Sequence, residues 1–228
     1  YIIVNNPEQL ILPWSKVNKF TFSDFYFESK NSEIKDALKT NQDFFLYGIE
    51  GVGKSFLLQA VCNFYAIEKK SSLYVPIKEA IKLNTDFLDS LDYLDVVCID
   101  DIDLIKNNKD WEIAIFNLIN NSLLSKCRLI FSSSLNPSTI HFKLEDLSSR
   151  IKKIESIELL PISKNNLYEA LRFIIDLRSI NIGEKEINYL ITYSKRNISD
   201  LLKIIEKLDK LSVQLKRKIT IPMIKDVI

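Results

Sequence analysis

Short apolar segments alternate with longer amphipathic segments along most of the chain before Pro161. The short segments are rich in branched and aromatic residues, which is typical of strands buried on both faces of a parallel sheet. They are Phe44–Tyr47, Leu73–Val75, Val96–Ile99, Arg128–Phe131 and Ile157–Leu160. The amphipathic segments between them, such as Lys54–Glu68 and Asp110–Leu124, predict crossover helices. This alternation of strands and helices predicts a three-layer α/β domain.

The pattern becomes wholly helical after Pro161. Ser163 is a suitable N-cap for the first of these helices, and Thr220 before Pro222 is typical of the start of a last short helix. We therefore expect three parts: a flexible tail over residues 1–19, a base domain over residues 20–160 and a small all-helical domain over residues 161–228.

Composition argues against several classes of protein. The formal net charge is only +1, so no broad basic surface is expected for nucleic acid or anionic lipid. Three cysteines without a CxxC pair and a single histidine argue against a structural zinc site and a disulfide framework. The sequence contains no apolar run of about 20 residues, so no membrane span is predicted. The reducing cytoplasm is the expected location.

The few glycines are concentrated in one segment. The chain has four glycines, where ordinary usage would give about sixteen, and three of them lie in GIEGVGKS, residues 48–55. This segment lies between a predicted strand and a predicted helix and matches the phosphate-binding loop G-x-x-x-x-G-K-[ST]. Its glycines let backbone amides face a phosphate, its lysine reaches the outer phosphates, and its serine can bind Mg²⁺. The predicted nucleotide-binding residues are Gly51, Val52, Gly53, Lys54, Ser55 and Phe56.

A second motif, VVCIDD at residues 96–101, is an apolar strand that ends in two carboxylates. Such a strand is the usual partner of a phosphate-binding loop. Asp100 would then bind Mg²⁺, directly or through water, and Asp101 would orient an attacking water if hydrolysis occurs. The plainer interpretation is a strand end with two solvated acids.

With these motifs in order, residues 20–228 resemble the AAA+ module of the DnaA family of bacterial replication initiators. FTFSDFYFESKNSEI resembles the family's segment that packs on the adenine, which implies that Phe25 and Tyr26 lie near the base. LEDLSSRI resembles the stretch that carries the family's arginine finger, here Arg150. The resemblance implies an AAA+ P-loop NTPase with a parallel-sheet base domain and a small helical lid domain.

Among DnaA-related proteins the chain resembles the Hda family of DnaA regulators. QLILP, residues 9–13, is similar to that family's sliding-clamp-binding motif, and the ending RKITIPMIKDVI is also similar. The chain stops at Ile228, where DnaA would continue into a DNA-binding domain. An extended peptide of this kind binds by placing side chains in pockets. The implied clamp-binding residues are Gln9, Leu10, Leu12 and Pro13.

This resemblance implies an ADP-binding regulator, tethered to the DNA polymerase sliding clamp (beta subunit). It would use Arg150 in trans to stimulate hydrolysis of DnaA-bound ATP and so limit re-initiation of DNA replication. Its expected partners are DnaA and the clamp, with DNA reached only through the clamp and with no membrane. A homodimer is left open, and ATP remains an alternative resident nucleotide.

Two departures from the family pattern predict weak hydrolysis by the chain itself. Ser134 stands at a sensor position that is usually acidic or amide-bearing, and Ser199 replaces the lid arginine that touches the nucleotide, although Arg196 is nearby. The alternatives are a self-sufficient AAA+ ATPase, acting as a helicase loader or DNA remodeller, and a truncated DnaA. The apolar tail could also pack on its own core instead of a partner.

Overall fold

A computed structural model describes residues 20–194 and 197–228. Within these residues five parallel strands form one sheet in the order β2-β3-β4-β1-β5. The strands are β1 (Phe44–Tyr47), β2 (Ser72–Pro76), β3 (Val96–Asp100), β4 (Arg128–Ser133) and β5 (Glu155–Glu158). The helices are α1 (Ser32–Ala37), α2 (Lys54–Ile67), α3 (Ile77–Ala80), α4 (Lys109–Ser125), α5 (Glu145–Lys152), α6 (Leu167–Leu177), α7 (Glu184–Tyr193), α8 (Ile198–Leu215) and α9 (Ile221–Lys225). Each strand therefore returns to the sheet through a crossover, as the alternating pattern predicts.

Helices cover both faces of the sheet because alternate residues of the central strands face opposite sides. Phe45 and Phe131 pack with α4 and α5 on one face, where their ring centroids lie 6.2 Å apart. Phe44 and Ile130 pack with α1 and α2 on the other face. All four side chains are buried, which accounts for the continuous apolar runs in the sequence. The fold is the predicted three-layer α/β arrangement.

The prediction for the last strand was wrong at both ends, by two residues each. β5 begins at Glu155 and ends at Glu158, whereas the apolar pattern placed it at residues 157–160. Among the described residues this strand is at the edge of the sheet and pairs with β1 alone. Three of its four residues are exposed, and polar residues are tolerated there. The apolar segment therefore marked only the second half of the strand and continued two residues beyond it.

The C-terminal helices form a separate hydrophobic cluster. Leu171 and Ile175 of α6 pack in it with Ile187 of α7 and with Leu201 and Ile205 of α8. Ser163 is followed by a short 3-10 turn before α6 begins, and α9 starts after Thr220, as predicted. In the part of the chain that the structure describes, no helix combines the length and apolarity needed to cross a bilayer.

Candidate nucleotide-binding site

The glycine-rich loop connects β1 to α2 and needs its glycines for both backbone angles and space. Gly53, the N-cap of α2, has φ +105°, and a Cβ there would lie 2.5 Å from Cε2 of Phe25. Gly51 has φ +80°, and a Cβ there would lie 2.9 Å from Cβ of Ser199 in the lid. Both conformations are unfavourable for residues with a side chain. The loop is therefore enclosed on one side by residues 20–27, here called the aromatic segment, and on the other side by the lid.

Lys54 begins α2 directly after the loop, and its side chain is buried. Its Nζ donates hydrogen bonds to the carbonyl oxygens of Gly48, at 2.8 Å, and of Ile49, at 3.2 Å. The ammonium group is thus held inside the loop, next to the N-terminus of a 14-residue helix. Positive charge and backbone amides together make this region suited to bind phosphate.

A polar cleft of about 840 Å³ opens between the loop and the lid. Its base-domain wall brings together Lys54 and Ser55 from α2 with Asp100 and Asp101 from the end of β3. Further residues come from the end of β2, from α3 and from the start of α8. These are Tyr74, Pro76, Lys78, Glu79, Asn197, Ser199, Asp200 and Lys203. The structure therefore places the phosphate-loop residues and both carboxylates in one cleft.

Asp100 is buried and held by two hydroxyl groups. The Tyr74 hydroxyl donates to its Oδ2 at 2.6 Å, and the Ser132 hydroxyl donates to its Oδ1. Burial and the neighbouring Asp100 charge raise the pKa of Tyr74, so the phenol stays a donor at neutral pH. These two contacts fix the orientation of the Asp100 carboxylate.

Asp101 has a different environment from its neighbour. It is only half-buried, its backbone is left-handed with φ 58°, and its amide donates to Ser132 Oγ at 3.0 Å. Burial and the Asp100 charge raise the pKa of Asp101 to about 6, while Lys54 and Lys78 act in the opposite direction. A carboxylate with this pKa in a cleft can accept a proton near neutral pH.

The donor set fits Mg²⁺ that is bound together with a nucleotide. A hydroxyl from Ser55 and a carboxylate from Asp100 line the same cleft. Both carboxylate oxygens of Asp100 already accept hydroxyl hydrogen bonds, which favours contact with the ion through water. Among the described residues no group of three or more His, Cys, Asp or Glu could hold a metal ion alone. The phosphates would have to complete the coordination.

An apolar pocket of about 420 Å³ lies on the other side of the same loop. Phe25, Tyr26, Val52 and Phe56 line it, together with lid residues of α6 and α8. The Phe25 and Phe56 ring centroids are 5.6 Å apart. Gly51 and Gly53 border both this pocket and the polar cleft. The arrangement offers flat apolar walls beside a phosphate site, which suits a purine base.

The aromatic segment is tied to the connection between base and lid. Glu28 is buried and accepts hydrogen bonds from the Ser163 amide at 3.0 Å, the Ser163 hydroxyl at 2.6 Å and Asn166 Nδ2 at 2.8 Å. Asn31 donates to the carbonyl of Leu160 at 2.9 Å. These contacts could not be predicted from the sequence, because they join residues more than 120 positions apart.

Arg150 lies away from the cleft. It is half-buried in the last turn of α5 and lines a hollow of about 330 Å³ with Gln42, Asp43 and Lys153. Gln42 and Asp43 precede β1, whereas the phosphate loop follows β1. Four residues of strand span about 13 Å. The structure therefore places Arg150 at the opposite end of the sheet from the phosphate loop.

The two serines at the departures from the family pattern have different environments. The Ser134 hydroxyl donates to Asp103 Oδ2 at 2.6 Å, outside the residues that line the cleft. Ser199 lies against Gly51 at the start of α8. The implied clamp-binding residues Gln9, Leu10, Leu12 and Pro13, and Arg196, lie outside the described residues.

Two family models match the chain. The bacterial DnaA ATPase domain matches residues 18–157, and the Hda lid domain matches residues 165–228. The chain is thus an AAA+ P-loop protein of the DnaA-related class. Within the DnaA-related AAA+ proteins the chain is an Hda-like member, because its lid matches the Hda model.

Relatives and solved structures agree with this assignment. An uncharacterised protein of Haemophilus influenzae is 32% identical over 228 residues, which cover 97% of this chain and 98% of the relative. Domain III of Thermotoga maritima DnaA has a TM-score of 0.79 at 20% identity, covering 93% of this chain and 98% of that chain. AMPPCP-bound DnaA from Aquifex aeolicus has a TM-score of 0.73 at 20% identity, covering 86% of this chain and 67% of that chain. At this identity the two structures establish the fold alone.

Proposed function

We propose that this chain is an ADP-binding regulator of DnaA that stimulates hydrolysis of DnaA-bound ATP in trans and so limits re-initiation of DNA replication in the cytoplasm. The observation that carries the proposal is the separation of Arg150 from the chain's own phosphate loop, in a protein whose lid matches the Hda model. An arginine at that end of the sheet is suited to a neighbour's nucleotide.

The chain's own nucleotide would lie across the glycine loop. Its phosphates would lie beside Lys54 and Ser55 in the polar cleft, and its base would lie between Phe25, Tyr26 and the lid. Mg²⁺ would neutralise phosphate charge there, with Ser55 and Asp100 as the protein's contribution. The similar DnaA from Aquifex aeolicus is bound to AMPPCP, an adenine nucleotide, which supports the same assignment here.

In this proposal Arg150 would place its guanidinium beside the phosphates held by DnaA. Arginine fingers raise hydrolysis rates about 10³–10⁵-fold in P-loop systems by stabilising charge in the transition state. Asp101 would have at most a minor role in the chain's own weak turnover. Residues 9–13 would tether the chain to the sliding clamp, which raises its local concentration near DnaA without new contacts. A homodimer is compatible with this scheme.

The test measures hydrolysis of ATP pre-bound to DnaA, with the ADP-loaded chain and the clamp on DNA. Wild type should accelerate hydrolysis, and Arg150→Ala should reduce the rate to near that of DnaA alone. Lys153→Ala, which removes a cation from the same hollow, is the matched control and should retain most activity. Equal stimulation by wild type and Arg150→Ala would contradict the proposed role.

The tether is tested separately by pull-down on the sliding clamp. Gln9→Ala with Leu10→Ala should abolish retention, because the two substitutions remove a specificity group and an apolar anchor worth about 1.5–3 kcal/mol. When the clamp is omitted, the double variant and wild type should stimulate hydrolysis by DnaA to the same extent. Retention of the double variant at the wild-type level would exclude this motif as the tether.

A second candidate function is that of a self-sufficient AAA+ ATPase that loads a helicase or remodels DNA. The observation in its favour is Asp101, whose pKa of about 6 suits a base beside Lys54. Single-turnover hydrolysis by the purified chain alone distinguishes the two. Rapid turnover that Asp101→Asn abolishes would favour this candidate over the trans-acting regulator.

A further inference from the structure

The lid wall of the polar cleft carries an unexpected cation. Asn197, Ser199, Asp200 and Lys203, all at or near the start of α8, line the cleft opposite Lys54. Among the described lid residues of this wall, only Lys203 is positively charged. The resemblance to DnaA-related proteins implies a nucleotide-contacting arginine at position 199, where this chain has an uncharged serine that lies against the phosphate loop.

Lys203 lies on the same side of α8 as Ser199. The two are four residues apart, which places them one turn apart on one helical face. Ser199 lies against Gly51, so this face of α8 is directed at the phosphate loop. A lysine one turn further along, on a flexible four-carbon side chain, can place its ammonium group in the space that a longer residue at position 199 would reach.

The surroundings of Lys203 leave its ammonium group available to an anion. Its only described ion pair is with Asp200, at 3.8 Å, and its side chain is 72% exposed. An exposed pair at that distance is weak. Glu50 and Glu79 add negative charge to the lining of the cleft. Lys78 adds positive charge on its base-domain side. A bound polyphosphate would therefore meet cations on both sides, Lys54 and Lys78 from the base and Lys203 from the lid.

We propose that Lys203 is the lid's phosphate-binding residue and replaces the arginine that Ser199 lacks. The inference rests on the proposed nucleotide binding and names the lid group that responds to it. Attraction between Lys203 and the outermost phosphate draws α8 toward the loop, so a triphosphate gains more from this contact than a diphosphate.

The test compares binding of ADP and of AMPPCP by calorimetry at low salt. Lys203→Gln should weaken AMPPCP binding about fivefold, equivalent to about 1 kcal/mol, and weaken ADP binding by less. Lys203→Arg should restore both affinities, since it restores the charge. Lys207→Gln is the matched control, because Lys207 is one turn further along α8, is exposed and does not line the cleft. It should bind within about twofold of wild type.

Two outcomes would overturn the inference in distinguishable ways. If wild type binds nucleotide and Lys203→Gln binds both ligands with wild-type affinity, Lys203 is not the lid ligand and the proposed function stands. If wild type binds neither ligand, the proposed function fails and this inference fails with it. Thermal unfolding without ligand should be the same for wild type and all three variants, which excludes misfolding as the cause of weaker binding.

Discussion

Glu28 and Ser163 are joined by two hydrogen bonds across the junction between base and lid. The Ser163 amide donates at 3.0 Å and its hydroxyl at 2.6 Å, both to the Glu28 carboxylate. Ser163 begins the turn that leads into α6, and Glu28 follows the aromatic segment that lines the apolar pocket. The lid's first turn is therefore anchored to the segment expected to touch the base.

Glu28→Gln should lower the free energy of unfolding by about 1–3 kcal/mol, because an amide cannot accept all the hydrogen bonds that the buried carboxylate accepts. Urea denaturation followed by circular dichroism measures the change. Glu33→Gln removes an exposed carboxylate from α1 and should be neutral. Equal stability of Glu28→Gln and wild type would mean that this contact contributes nothing to the folded state.

The same carboxylate predicts a pH dependence. Burial raises the pKa of Glu28, but hydrogen bonds from Ser163 and the charge of Lys30 outweigh burial and hold it below its usual value of 4.5. The ionised form is thus favoured by folding, so its contribution is complete above pH 4.5 and is lost as pH falls through the folded-state pKa. Urea denaturation between pH 3 and pH 6 should show a steeper acid loss for wild type than for Glu28→Gln. Parallel curves would contradict this.

Gly53→Ala should damage both stability and nucleotide binding. Alanine at φ +105° is strained, and its Cβ would lie 2.5 Å from the Phe25 ring. We expect a loss of about 1–3 kcal/mol in unfolding free energy and at least tenfold weaker ADP binding. Gly183→Ala is the control, because Gly183 has φ −86° at the N-cap of α7 and a Cβ there would meet only the flexible end of the Glu186 side chain. It should lose at most about 1 kcal/mol and keep the ADP affinity of wild type.

Tyr74→Phe removes a hydroxyl donor from the buried carboxylate of Asp100. The variant should unfold more easily by about 1–3 kcal/mol, since a buried charge loses a hydrogen bond. A double-mutant cycle with Asp100→Asn isolates the pairwise contribution. The exposed Tyr93→Phe is the matched control and should be silent. Additive effects in the cycle would show that the pair is not coupled.

The sequence was most informative where the determinants are local. The glycine loop, its strand and its helix are contiguous, so GIEGVGKS predicted their geometry. The contacts of Tyr74, Ser132 and Glu28 were not predicted, because each depends on partners that only the folded sheet and lid bring near. Their residue types carry no spacing signal. The position of Arg150 relative to the loop likewise could be found only from the folded structure, which brings the end of α5 next to the residues before β1.

The hollow that contains Arg150 lies before β1 and the glycine-rich loop lies after it, so the two ends of this strand carry different surfaces. Two copies, or a copy and a similar relative, can join such ends only head to tail, which uses different surfaces on each partner. If Arg150 acts on a neighbour as proposed, such an association would have a leading and a trailing member, and only one of the two clefts in a pair would face a neighbour's guanidinium.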